Sequence, residues 1–171
     1  VNAIAYPIDV CDYSQMEAMY KKALEEWGRV DFVVNSAGVC LTEELTKQSL
    51  KDINLSIDVN IKGTVYSCRE ALKIMRPQKY GKIVNMSSIA AKSCAGGFSV
   101  YSATKAAVLA LTASLGREAA LDNVNVNCIC PGIIKTSIQF VYGKITSFDD
   151  DEKLDSLPEN LIVVPGFIDE H

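Results

Sequence analysis

The stretch that decides the fold runs from residue 81 to residue 132: GKIVNMSSIAAKSCAGGFSVYSATKAAVLALTASLGREAALDNVNVNCICPG. It opens on a short β-branched run, Gly81–Ser87, and crosses a small-residue loop, Ile89–Val100, that contains Gly96-Gly97. A helical pattern follows over Tyr101–Leu121, then a second β-run over Val124–Cys130, closed by Pro131-Gly132. Two β-runs separated by a helix of this length form a parallel crossover, because a parallel pair needs a long connection. Ala103, Ala106, Ala107, Ala110 and Ala113 mark the helix with a stripe of small side chains that lets another helix approach closely.

The same alternation extends towards the start of the chain. Asp31–Asn35 (DFVVN) reads as a short buried strand running into the turn Ser36-Ala37-Gly38, and Thr46 caps a short helical turn beyond it. Leu50–Arg76 reads as one long helix, with Ile57, Ile61, Val65, Cys68, Leu72 and Met75 at helical spacing and Pro77 ending it. Tyr13–Trp27 is an amphipathic helix with Met16, Met19, Tyr20, Ala23, Leu24 and Trp27 on one stripe and Gly28 as its stop. Asn2–Val10 reads as a further strand. The whole is an α/β chain with a parallel sheet. Beyond about Gln139 the texture changes to the acidic stretch Ser147–Glu152 and then a short strand, Leu161–Val164. There are no internal repeats.

Composition narrows the function. Among 171 residues, 17 basic and 21 acidic side chains give a net charge of −4, and 49% are hydrophobic. A mildly acidic globular chain lacks the basic excess that binding to nucleic acid through phosphates requires. No apolar run approaches the ~18–20 residues that cross a bilayer, and the opening residues show no leader pattern. Six cysteines without a CxxC pair fit reduced thiols in a cytoplasm. Cys128 and Cys130, two apart, share a strand face and read as core rather than as a metal or redox pair.

Tyr101 and Lys105 are four apart at a helix start, so both project from one face. An ammonium beside a phenol favours the phenolate, which suits a tyrosine acting as general acid or base. Taken alone, the pair could equally be surface chemistry. Ser88 follows the end of a strand, where open α/β sheets carry ligands; its hydroxyl could hold a carbonyl oxygen or simply cap a turn. Asn60 alone could be a helix-kink residue, and Asn35 alone a strand-end turn former.

Together these residues resemble the short-chain dehydrogenase/reductase family. Ser88, Tyr101 and Lys105, in NMSSIAA and YSATK, are similar to its catalytic core, and Asn60 in DVNIKGT to the helix asparagine of its tetrad. Asn35-Ser36-Ala37-Gly38 resembles its NNAG turn, with Ser36 in place of the second Asn. Asp9-Val10 resembles the pair that receives the adenine ring. Pro131-Gly132, with Ile134 and Thr136, resembles the segment along the nicotinamide.

The resemblance covers about residues 1–138 and implies an incomplete Rossmann-like, doubly wound parallel sheet, holding strands 3 to 6 of the family, with a non-family tail over 139–171. It implies an oxidoreductase using NAD or NADP on a small alcohol or carbonyl compound: a polyol, a sugar or a 3-oxoacyl substrate. Tyr101 would exchange the proton and Ser88 orient the substrate oxygen. Lys105 would bond the nicotinamide ribose and lower the Tyr101 pKa, and Asn60 would position a relay water. Asp9, Val10, Asn35, Ala37, Gly38, Tyr101, Lys105, Pro131, Gly132, Ile134 and Thr136 would contact the cofactor. The two long helices, 50–76 and 101–121, would make a homo-oligomer.

The family's glycine-rich TGxxxGxG turn, which receives the pyrophosphate, does not occur among these residues. In the strand order 3-2-1-4-5-6 its absence leaves Asn2–Val10 unpaired and Asp31–Asn35 as an exposed apolar edge. Such a chain is expected to fold marginally, to bind dinucleotide weakly and to have little activity alone. The segment 141–171, ending in LIVVPGFIDEH, resembles the start of the amidohydrolase family, of N-acetylglucosamine-6-phosphate deacetylase type. His171 alone would match a ligand there, too few for a metal site. Two further readings stand beside the reductase: a fragment of a fused metal-dependent deacetylase, and a non-catalytic helical association module.

Overall fold

The computed structural model describes residues 3–132, 140–141, 144–145 and 161–164. The first element is helix α1, Tyr13–Trp27, started by Asp12, whose carboxylate accepts from the amides of Ser14 at 2.8 Å and Gln15 at 3.3 Å. Gly28 ends it in the left-handed region at φ 70°, where its N–H reaches Leu24 O, the usual glycine C-cap. Strand β1 is Phe32–Asn35, and helix α2, Leu50–Ile57, is capped by Ser49. A π-helical stretch, Asp58–Gly63, joins α2 to α3, Thr64–Gln78. Strand β2 is Gly81–Met86, α4 a single turn at Ala90–Ser93, α5 the helix Ser99–Ala119, and β3 Val124–Ile129. A two-stranded pair, β4 (Phe140–Val141) and β5 (Lys144–Ile145), precedes β6, Leu161–Val164.

The sheet runs β3-β2-β1-β6, parallel throughout. Val33, Ile83, Val124 and Val126 are buried against Met16, Tyr20 and Ala23 of α1 and Cys68, Ala71 and Met75 of α3. Gly81 lies under Met75, and Gly116 of α5 lies against Val126 O. All three long helices therefore cover one face of the sheet. Of the other face's described side chains, Phe32, Val34 and Val84 are half-buried, and Asn125, Asn127 and Ile129 are exposed.

Four expectations need correction. Residues 3–8 form no strand. A strand is defined by its ladder, and no described strand lies beside these residues; the backbone instead turns, with Asp12 N–H on Asp9 O at 3.0 Å. Asp31–Asn35 is not an exposed edge, because β6 pairs with β1 along its whole length, Phe32 with Leu161 through Asn35 with Val164. The long helix is one rod broken in pitch. At the π-helical stretch Val59, Asn60 and Gly63 turn inward, whereas Ile57 and Val65 stay exposed. Cys128 and Cys130 share the helix-covered side but remain half-buried.

Candidate active site

Sheet geometry brings the candidates to one place. The carboxyl ends of β1 and β2 lead into Ser36–Gly38 and Ser87-Ser88, and α5 opens over them. Tyr101 lies in the first turn of that helix, where the Ser88 hydroxyl is near enough to favour its ionised form. Ser88 Oγ accepts from Ala90 N at 3.1 Å, just before the short turn α4. Lys105, one turn further on, is buried; its Nζ lies 5.8 Å from the centre of the Tyr101 ring and donates to Met86 O at 3.0 Å. Ser87 Oγ donates to Lys105 O at 2.7 Å, which fixes the helix to the strand end.

Asn60 completes the cluster from the π-helical stretch. Its Oδ1 accepts from Val39 N at 2.8 Å, and its Nδ2 donates to Val39 O at 2.9 Å and to Thr104 Oγ1 at 3.0 Å. The widened turn is what swings this amide inward, a use common to π-bulges. Between Asn60 and Lys105 lies Gly38, where a Cβ would stand 3.1 Å from Lys105 Nζ and 3.3 Å from Asn60 Oδ1. A side chain there would press on both groups by a few tenths of an ångström.

The electrostatics depart from the expectation for Tyr101. Burial pushes the phenol above its ordinary value; the Ser88 hydroxyl opposes the rise and the nearby Cys40 thiol adds to it. The Lys105 ammonium stands over the ring face and is turned to Met86 O. Burial in turn lowers the Lys105 pKa, partly offset by Cys40 and Cys128. Desolvation disfavours the charged form of each group.

The residues expected along a cofactor divide. Val10, Asn35 and Ala37 line one small concavity with Gly63 and Thr64. The Asn35 side chain is itself spent inward, donating to Asn85 Oδ1 at 2.8 Å and accepting from Ser67 Oγ at 2.5 Å. Asp9 is exposed, and its carboxylate holds Cys11 N at 2.8 Å. Pro131 O accepts from Ile89 N at 2.9 Å and Gly132 is exposed; Ile134 and Thr136 lie outside the described residues. So do residues 165–171, the end of the segment 141–171 that carries the amidohydrolase resemblance. Among the described residues no group of three or more His, Cys, Asp or Glu could hold a metal, and no helix is long and apolar enough to cross a membrane.

Sequence reasoning missed Thr104, Ser87 and Cys40. Thr104 lies within the YSATK motif, beside Lys105, and Ser87 is the first serine of the MSS run. Cys40, two residues past Gly38, carried no signal.

The chain matches the short chain dehydrogenase family over residues 1–143. It is 37% identical over 149 residues to an uncharacterised oxidoreductase of Staphylococcus aureus, covering 87% of this chain and 63% of that protein. Among solved structures it is similar to ElxO with NADP bound, at TM-score 0.75 and 38% identity, over 77% of this chain and 54% of that one. It is also similar to an NAD+-bound xylitol dehydrogenase, at TM-score 0.72 and 26% identity, over 74% of this chain and 49% of that one. The chain thus spans 63% of the length of the first relative and about half that of the solved structures.

Proposed function

The chain belongs to the short-chain dehydrogenase family, and from that premise we propose that it carries the proton-handling side of an oxidoreductase site. There a hydride passes between NAD or NADP and an alcohol or carbonyl compound of polyol, sugar or 3-oxoacyl type. The observation that carries this reading is the convergence of Ser88, Tyr101 and Lys105 at the carboxyl end of a parallel sheet, where such sheets place ligands.

The residues fit a dinucleotide at its nicotinamide end. Lys105 holds a buried ammonium whose hydrogen-bond acceptor among the described residues is Met86 O; an ammonium has three donors, so two remain for a ribose hydroxyl. Gly38 keeps the floor beneath it open. The dinucleotide, when bound, supplies or accepts the hydride. Ser88 orients the substrate oxygen, and Tyr101 exchanges a proton with it. A phenol held neutral by burial is a donor, which is what carbonyl reduction asks of it. Asn60 positions the Gly38-Val39 turn and, through Thr104, the helix that presents Tyr101 and Lys105.

The test is turnover with NADH or NADPH across a panel of sugars, polyols and 3-oxoacyl compounds, followed by the absorbance of the reduced nicotinamide. Tyr101→Phe is expected to abolish the activity with the fold intact. A variant that keeps the parent rate refutes the assignment. Association between copies is proposed on a separate observation: Ala103, Ala106, Ala110 and Ala113 of α5 are all exposed, leaving a surface on which a second helix can pack closely. Light scattering of Ala106→Glu against the parent chain tests it, and an unchanged mass would remove the proposal.

A further inference from the structure

The β1–β6 pairing has a direction that the hydrogen bonds define. Lys82 N donates to Asp31 O at 2.9 Å, so Asp31 turns its backbone groups towards β2. In a parallel ladder these groups alternate sides; Val33 therefore also faces β2, while Phe32 and Val34 face β6. With Phe32 opposite Leu161 and Val34 opposite Val163, the backbone groups of Ile162 and Val164 face β1, and those of Leu161 and Val163 face off the sheet. Pro165 follows at once.

In the order 3-2-1-4-5-6 the run β3-β2-β1 corresponds to strands 6, 5 and 4, so the next position belongs to the first strand. In this structure Leu161–Val164 holds it. An unpaired edge of β1 would display the N–H and C=O groups of Phe32 and Val34, an adhesive template for any strand. The segment that covers it is LIVV, the β-branched, uncharged composition of strands in parallel sheets, and it follows the acidic run Ser147–Glu152.

We propose that the outer edge of β1 is a strand-docking site held in cis by Leu161–Val164, which stands in the first-strand slot, so that this tail and any other strand brought to that edge exclude one another. The slot's identity rests on the family reading, but the docking is tested without catalysis, so the two fail separately.

The experiment is residue-resolved amide hydrogen exchange on the full chain. In the parent protein the Phe32 and Val34 amides are expected to be protected to the same order as Val33. Ile162→Pro and Val164→Pro each remove a donor facing β1, and should raise exchange at Phe32 and Val34 by roughly tenfold or more while Val33 stays protected. Val163→Pro removes a donor that faces off the sheet and should leave Val34 within about threefold, as edge prolines with outward N–H positions do. A synthetic peptide of residues 158–167, added in excess to the Val164→Pro chain, is expected to restore protection at Val34.

Parent exchange at Val34 equal to that of an open amide overturns the proposal. So does an equal response to all three prolines, or a peptide without effect. Should the proline variants unfold, exchange at Val33 reports it, and the parent chain alone decides.

Discussion

Replacing Asn60 with alanine tests how the site is held. The side chain is fully buried and makes three hydrogen bonds, to both backbone groups of Val39 and to Thr104 Oγ1. At about 0.5–1.5 kcal/mol net each, their loss amounts to roughly 1.5–4.5 kcal/mol. Val39 is half-buried, so water can rescue part of its loss, and Thr104 keeps its own bond to Tyr101 O at 2.7 Å. The expected destabilisation is therefore about 2–3 kcal/mol, in the lower part of that range. Urea unfolding followed by circular dichroism and by the fluorescence of the single tryptophan, Trp27, measures it; at a slope of ~1–3 kcal/mol/M the midpoint falls by on the order of 1–2 M. Thr104→Val removes two bonds, the one accepted from Asn60 and the one donated to Tyr101 O, and should cost about 1–3 kcal/mol. In the double variant the two losses should fall short of their sum by about 1 kcal/mol, because the shared bond is counted once. A loss below about 1 kcal/mol for Asn60→Ala, or strict additivity of the pair, would refute the account of Asn60 as the clasp between the Gly38-Val39 turn and α5.

Alkaline stability should depend on Cys68. Burial pushes its thiol up to about 11 from an ordinary 9.0, so the unfolded chain ionises first; the stabilising contribution is intact below pH ~9 and is lost as pH rises towards about 11. The stability gap between parent and Cys68→Ala should narrow by roughly 2–3 kcal/mol over that window, and a constant gap in pH-dependent urea unfolding contradicts the burial argument. Alkylation at neutral pH should reach exposed Cys94 first and Cys68 last, since Cys68 is 1% exposed; peptide mass spectrometry gives the order, and early labelling of Cys68 would be inconsistent with the packing. Gly81→Ala would set a Cβ 2.3 Å from Met75 Sδ and 2.7 Å from Met75 Cβ, so the variant should lose about 1–3 kcal/mol or more in thermal or urea unfolding; parent-like stability would mean that β2 and α3 are less closely packed.

What the sequence discloses follows the range of the forces involved. Helix α1 and strands β2, β3 and β6 are legible to within a residue or two, because apolar period and local caps such as Asp12 and Gly28 specify them. Asn2–Val10 has a strand's composition, but a strand also needs a neighbour, and composition carries no information about neighbours. The π-helical stretch is equally hidden: Ile57, Ile61 and Val65 keep a helical period while the backbone widens to turn Asn60 inward. At the site, the spacings of Ser88, Tyr101 and Lys105 are visible because one helix and one strand end suffice to place them. Thr104, Ser87 and Cys40 enter through contacts between distant segments. Burial of the Tyr101 phenol, which raises its pKa, is hidden from spacing in the same way, since desolvation depends on what packs around the phenol.

A row of buried polar side chains ties these levels together. Tyr20 OH pairs with Ser67 Oγ at 2.8 Å, Ser67 donates to Asn35 Oδ1 at 2.5 Å, and Asn35 Nδ2 donates to Asn85 Oδ1 at 2.8 Å. Asn85 Nδ2 then donates to Thr112 Oγ1 at 3.0 Å, and Thr112 to Val108 O at 2.7 Å. The row crosses α1, α3, β1, β2 and α5 in that order beneath the covered face of the sheet. Its net contribution to stability is modest, because each bond replaces one to water, but its geometric demand is strict. Asn35 and Asn85 are directly opposite in the β1–β2 register. A slip of one residue would bring Val34 or Ser36 to that position and turn every side chain to the other face, stranding Ser67 and Thr112 without partners. The register in turn sets how far each strand end projects, so that the turn at Gly38 and the serines at 87 and 88 emerge at one level beneath Tyr101 and Lys105. The polar row and the site are thus two consequences of one constraint: asparagines that contribute little to how firmly the sheet is held determine where its reactive end points.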